Sequence, residues 1–360
     1  MATSAKGNGN SSGGASKKPE RPNKKRINLA LQGGGAHGAF AWGVIDRLLE
    51  EEEIEIDAIV GTSAGAMNAA ATAYGIALGG NAGGREVLRT FWKKTSDAAR
   101  YSPMQATPWE KMMNPKGGNL EHSPGYIMMD FLSRMFSPYE LNPTNQNPLR
   151  DVITSVIDFD AIHKAAKVKL FICASNVMTG RIKVFDKEHV TVDAVLASAC
   201  LPFMFQAVEI SGEHYWDGGY MGNPPLYPLF YNTDTRDILI IQLNPINIPS
   251  LPTTAPQILD RINTLSFNSS LMREMRAIHF VTKLIDGGFD DGGKLKRIFI
   301  HTVDGEELLS HLGVSSKLNA DWDFLMHLHE NGRDACEKFL SAHWAKIGKE
   351  SSTNIEEKFF

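Results

Sequence analysis

The first ordered pattern along the chain is a short apolar run, Ile27-Asn28-Leu29-Ala30-Leu31-Gln32, long enough for one strand and followed by Gly33-Gly34-Gly35-Ala36-His37-Gly38. Beyond the glycines, Phe40, Val44, Ile45, Leu48 and Leu49 recur at three- and four-residue steps, the period of a helix with one buried face, and the acidic run Glu50 to Glu53 closes it. A second apolar run, Ala58-Ile59-Val60, passes through Gly61-Thr62-Ser63-Ala64-Gly65 into an Ala-rich stretch over 64–80. That stretch carries Asn68 and is too short to cross a bilayer, so it reads as a buried helix. Strand, turn and helix in alternation predict βαβ units and a parallel sheet. Further strands are expected at 169–175, 182–185, 214–216, 237–243 and 296–302, and long helices at about 256–285 and 321–345. Gly79-Gly80 and Gly83-Gly84 read as a mobile loop and not as a phosphate cradle, because no Lys-Ser/Thr follows them.

Two segments fall outside this pattern. Residues 1–26 are rich in Gly, Ser, Lys, Asn and Pro and set seven basic residues (Lys6, Lys17, Lys18, Arg21, Lys24, Lys25, Arg26) against Glu20, the composition of a disordered basic tail. Such a tail is a solvated spacer or a weak attractor for anionic lipid, about 1 kcal/mol per basic residue, and peripheral membrane contact through it needs a second element because it carries no apolar anchor. Between about 101 and 140, prolines stand at 103, 108, 115, 124 and 138, and Met104, Met112, Met113, Met128, Met129 and Met135 account for six of the chain's 14 methionines. Methionine is flexible and polarisable, so this insertion reads either as an acyl-binding cap or as an irregular packed segment.

Composition narrows the class. The 360 residues carry 37 Lys+Arg and 41 Asp+Glu, a net charge of −4 that argues against a nucleic-acid partner. With 42% hydrophobic and 22% charged residues the chain has ample material for a core. Cys173, Cys200 and Cys336 are odd in number and form no CxxC pair, which points to a reducing compartment and no zinc site. The N-terminus lacks the apolar core of a secretory signal, so a cytoplasmic protein is expected.

The chemistry concentrates in three places. Gly61-Thr62-Ser63-Ala64-Gly65 has GxSxG spacing between an apolar strand and a helix; a serine on such a turn projects its hydroxyl above the sheet, with glycines keeping Cβ atoms out of the bend. The helix that follows aims its N-terminal amides at the same spot. Gly33, Gly34 and Gly35 expose bare backbone amides suited to an oxyanion, although Gly33, Gly35 and Gly38 also spell GxGxxG with Asp57 about 20 residues on, the spacing of a dinucleotide site. A serine needs a base. None of the 11 histidines stands in a triad-like setting, and His327 and His329, two apart in an expected helix, read as surface residues. Asp217, in His214-Tyr215-Trp216-Asp217-Gly218-Gly219, ends an expected strand and is followed by two glycines that leave it open to a cleft; a direct Ser-Asp dyad is chemically reasonable. Asp286 and Asp291, also before Gly-Gly, follow a long helix and read as loop formers.

The glycine loop at 33–38, the elbow at 61–65 and Asp217-Gly218-Gly219, with Ala197-Ser198-Ala199-Cys200-Leu201-Pro202 before the aspartate and Asn223-Pro224-Pro225 after it, together resemble the patatin-like phospholipase family, bacterial branch, over about residues 27–245. The resemblance implies an α/β fold, a patatin-type three-layer α/β/α sandwich with a mostly parallel central sheet. It implies Ser63 as nucleophile, Asp217 as its base, and Gly33, Gly34 and Gly35 as oxyanion donors. The family usually carries Arg or Lys where this chain has His37, so His37 is expected as an accessory donor in that loop. Residues 246–360 are expected as a mainly helical extension packed on the catalytic domain. The implied activity is hydrolysis of a lipid acyl ester through an acyl-enzyme, with no metal or cofactor. Alternatives on the same dyad are a carboxylesterase, a thioesterase or an intracellular polyhydroxyalkanoate depolymerase; alternatives of another class are a non-catalytic lipid-binding or a dinucleotide-binding protein.

Overall fold

A computed structural model of the chain describes residues 1, 24–100, 102, 105, 118–290 and 292–360. Most of the basic tail, together with Met104, Met112, Met113 and Asp291, lies outside the described residues. The first described strand, β1 (Lys25–Leu31), starts two residues before the apolar run and is followed by α1 (Gly38–Leu48), β2 (Ile54–Thr62) and α2 (Ala64–Ala99). Among the described residues four shorter helices follow, α3 (Pro124–Met135), α4 (Pro138–Leu141), α5 (Pro148–Val156) and α6 (Phe159–Ala165). Then come β3 (Lys169–Asn176), β4 (Ile182–Phe185), α7 (Val192–Ser198), β5 (Val208–Ile210), β6 (Glu213–Asp217), α8 (Tyr227–Asn232) and β7 (Asp237–Gln242). The chain ends with α9 (Ala255–Asp286), β8 (Phe299–Asp304), α10 (Glu306–Leu309), α11 (Trp322–His343) and α12 (Ile355–Phe359).

The strands form one sheet in the order β5-β6-β3-β2-β1-β7-β8, with β4 also paired to β3. Its centre, from β3 to β8, is parallel, while β4 and β6 run antiparallel to β3 and β5 antiparallel to β6. Side chains alternate between the two faces. Leu29, Leu31 and Ile59 pack with α1, α2, α7 and α11, whereas Ala30, Ala58 and Val60 pack with Leu229 of α8 and Leu271 and Met275 of α9. Burial on both faces is why β1 and β2 read as continuous apolar runs without alternation, and it gives the three layers of an α/β/α sandwich. No helix among the described residues is long and apolar enough to cross a membrane.

Several local expectations change. Gly79 and Gly80 do break α2, with Gly80 at φ +62°, but Gly83 and Gly84 lie within its second segment. A side chain at Gly75 would collide with the backbone of Gly83 and Gly84, so these glycines let the two segments touch and do not form a loop. His329 is buried, its ring 3.9 Å from that of Trp42 and its Nε2 3.5 Å from Asp46 Oδ2. The cause is a close helix crossing: side chains at Gly43 of α1 and Gly332 of α11 would each strike backbone of the other helix. β5 has no counterpart among the expected strands. It forms a hairpin with β6 through Ser211-Gly212, both at positive φ (54° and 81°), the geometry of a two-residue turn.

The region beyond residue 245 is part of the sheet as well as a helical cover. β8 forms its edge, and residues 351–353 lie along it through Thr353 N to Ile300 O (3.1 Å) and Ile300 N to Ser351 Oγ (3.0 Å). His301, buried, fixes that segment between Asp237 Oδ1 and Ser352 Oγ, 2.9 Å from each.

Candidate active site

The site forms where the parallel strands end. β1 and β2 are in register at Leu31 and Gly61, so the chain two residues further along brings Gly33 beside Ser63; an ideal Cβ on Gly33 would lie 2.6 Å from Ser63 Cβ. Ser63 sits between β2 and α2 at φ 55° and ψ −123°, a conformation that costs a non-glycine residue on the order of 1–3 kcal/mol and persists only where the surroundings impose it. They impose it with backbone. A side chain at Gly61 would strike the Gly65 carbonyl, and one at Gly65 would strike that of Leu31. Ser63 N donates to the buried Ser198 Oγ at 2.9 Å, and Thr62 Oγ1 donates to Gly222 O at 2.8 Å. Within its turn Ser63 is the one residue not fully buried.

Asp217 reaches the same place across β3. Thr62 pairs with Cys173, and the next residue, Ala174, pairs with Asp217. The Asp217 backbone is held at both ends, its N–H donating to Cys200 O (2.8 Å) and its carbonyl accepting from Ser175 Oγ (2.8 Å). Gly218 has no room for a side chain against the Cys173 carbonyl, and its ideal Cβ would stand 3.0 Å from Thr62 Cγ2. Asp217 Oδ1 accepts from Gly219 N at 2.7 Å, while Oδ2 is buried without a fully formed hydrogen bond. Burial pushes the carboxyl pKa up to about 6, against the opposing pull of the Gly219 amide and of the Ser63 hydroxyl. Ser63 is therefore close enough to stabilise the carboxylate through a contact looser than a formed hydrogen bond, as is common in ligand-free sites.

The three glycines are not equivalent. Gly33 N already donates to Asn223 Oδ1 at 2.7 Å, and Gly33 O accepts from Asn244 Nδ2 at 2.8 Å. No acceptor for the Gly34 or Gly35 amide occurs among the described residues. Gly35 stands at φ +58° with its α-carbon against the Lys317 carbonyl, a position closed to any side chain. Gln32 clamps the start of the loop, its Oε1 accepting from Leu243 N (2.8 Å) and Asn244 N (3.0 Å).

His37 corrects the expectation drawn from its place in the loop. It is buried, with Nε2 2.7 Å from Ser316 Oγ. That hydroxyl donates to Gly313 O at 2.7 Å, so Nε2 carries the proton toward Ser316 and Nδ1 is a bare, unpartnered lone pair. Burial, with Lys317 adding to it, pushes the imidazole pKa down to about 3, so His37 is neutral at physiological pH and its one N–H is already engaged. The dinucleotide reading also fails on geometry. Asp57 sits near the start of β2, beside Ile27 and Asn28, with Thr235 Oγ1 2.7 Å and Arg26 2.9 Å from its carboxylate. Five to six residues of strand, roughly 16–20 Å, separate that end of the sheet from Gly33.

Gln32, Thr62, Ser198, Asn223 and Asn244 are not among the site residues expected from the sequence, although all are buried and all touch the loop, the elbow or their supports. The signal lies in polar residues standing where apolar strands and turns end, since a buried polar group requires a partner.

The family model described as Patatin-like phospholipase matches residues 29–230, a span that contains the loop, the elbow and Asp217. The chain belongs to that family. Membership in the patatin-like phospholipases places it among lipid-hydrolysing enzymes. Among solved structures it is similar to VipD from Legionella pneumophila, at 15% identity over 89% of this chain and 67% of that one, with a TM-score of 0.42. It is also similar to the type III effector ExoU, at 14% identity over 89% of this chain and 53% of that one (TM-score 0.32), and to ExoU in the Pseudomonas aeruginosa ExoU–SpcU complex, at 16% identity over 89% and 52% (TM-score 0.36). The chain thus spans about half the length of ExoU. No curated protein matches it.

Proposed function

We propose that this patatin-like phospholipase is a serine acyl hydrolase that cleaves the carboxylic ester of a lipid through a Ser63–Asp217 dyad. The observation that carries the reading is a buried carboxyl with one unengaged oxygen, its pKa raised to about 6, beside a strained serine hydroxyl and the free amides of Gly34 and Gly35. As Ser63 Oγ bonds to the ester carbon, its proton passes to Asp217 Oδ2. The Gly34 and Gly35 amides hold the oxyanion, with Gly33 as part of the frame that positions them. Collapse breaks the ester bond, and Asp217 returns the proton to the departing alcohol. Water then attacks the acyl-Ser63, giving its proton to Asp217, and the acid leaves with Ser63 restored.

An acid with a pKa near 6 suits both halves. It is mostly ionised at neutral pH, yet it is a stronger base than an ordinary carboxylate and a competent donor to the leaving alkoxide. The decisive experiment is labelling with a fluorophosphonate. Label on the native chain that disappears in Ser63→Ala and in no other Ser→Ala variant supports the reading; no label on folded protein ends it. Matched phospholipid, short-chain ester, acyl-thioester and polyester substrates then assign the acyl donor.

A further inference from the structure

A second feature lies along the chain as it leaves the glycine loop's supports. After Asn244, which clamps Gly33, residues 248–252 run beside the first turns of α9 and enclose an open groove of about 490 Å³, within the size range of ligand sites. Its walls are Ile248, Leu251, Ile258 and Ile262, and all four are exposed, Leu251 at 82% and Ile262 at 55%. Among the described residues, the one charged side chain lining it is Arg261. Arg261 Nη2 donates to Ile246 O at 3.0 Å, while Nη1 is buried and has no partner among the described residues. Among the described residues the neighbouring Asp260 forms no ion pair with it, although Arg261 and Lys317 both act on that carboxyl, whose Oδ1 is itself buried without a partner. A buried donor on a charged group without a partner is costly, and an apolar groove left open to solvent adds to the cost; both are relieved by one ligand with an anionic head and a hydrocarbon body.

We propose that this groove binds an acidic phospholipid of a membrane surface, its phosphate on Arg261 and its acyl chain over Leu251, Ile258 and Ile262. The choice of a lipid as the amphiphile rests on the hydrolase reading. The groove itself contains neither Ser63 nor Asp217.

The test uses the full chain carrying Ser63→Ala, so that no vesicle is consumed. Co-sedimentation is measured with phosphatidylcholine vesicles and with phosphatidylcholine vesicles containing phosphatidylglycerol, with inorganic phosphate as competitor. Phosphatidylglycerol should raise binding, and Arg261→Gln should remove about fivefold of that gain while leaving phosphatidylcholine binding unchanged. Arg261→Lys should restore part of it, and the double variant Leu251→Ser, Ile262→Ser should weaken binding to both vesicles. An unchanged thermal midpoint in these variants shows that the fold is intact. Equal binding of Arg261→Gln and its parent to the acidic vesicles overturns the proposal, as does equal binding of the Leu251→Ser, Ile262→Ser variant and its parent, which would mean an anion site without a lipid. Failure of the chain with Ser63 intact to hydrolyse any ester would sink the hydrolase reading and leave the vesicle result standing.

Discussion

The turn that carries Ser63 and the helix α3 within the Pro/Met-rich insertion are built on opposite terms. Around Ser63 nearly every constraint is backbone against backbone: Gly61 on Gly65, Gly65 on Leu31, Gly218 on Cys173. α3 has no buried residue at all and leaves Ile127, Met128, Phe131 and Met135 more than half exposed. The first region tolerates no added atom, and the second holds almost nothing in place. Rigidity around Ser63 and looseness along α3 thus fall on separate parts of the molecule.

That contrast can be broken most sharply at the dyad. Ser63→Ala and Asp217→Asn should each lower kcat by roughly 10⁴-fold or more, as loss of a member of a catalytic unit does, with steady-state hydrolysis of a soluble ester as the readout. Next comes the packing. Gly65→Ala forces a methyl into the Leu31 carbonyl and should cost about 3 kcal/mol, read as a fall in the urea midpoint. Met128→Ser on α3 stands at the other end of this scale, within about 0.5 kcal/mol. If the two substitutions cost the same, the contrast between the regions is wrong.

Asp217 adds a pH signature of similar size to the packing effect. Its folded pKa of about 6 exceeds the ordinary 3.8, so protonation favours the folded chain. The associated stability is fully present below about pH 4 and lost as pH rises through 6, on the order of 3 kcal/mol in total. Asp217→Asn should therefore flatten the stability profile and be the more stable protein at pH 7, while the activity of the unaltered enzyme should rise through pH 6. His37→Ala should leave that activity profile unchanged in shape, because the imidazole stays neutral over the whole window. A smaller effect is expected at Asn223→Ala, about 1–2 kcal/mol, from the orphaned Gly33 amide.

What can be read from the sequence follows the same division. Gly61, Ser63, Gly65 and Asp217-Gly218-Gly219 are legible because a sharp turn is a local demand, written in adjacent residues. The supports of the site are not local. Ser198 reaches Ser63 from 135 positions away and Asn223 reaches Gly33 from 190, and no short pattern encodes a hydrogen bond whose two ends meet only after the sheet has formed. His37 and His329 depart from expectation for a related reason: whether a histidine on a helical pattern faces solvent depends on what the chain later lays over it, here Ser316 and Trp42.

α9 carries this furthest. Its Asn268 bonds Gln32 (3.3 Å), its Ser270 bonds Asn223 N (3.2 Å) and its Glu274 bonds Leu226 N (2.7 Å), so a helix outside the family's matched span tethers the supports of the glycine loop. Anyone trimming this chain at residue 245, or grafting its second half onto a cousin, would be cutting through the hinge pins of the glycine loop and not through a seam between modules.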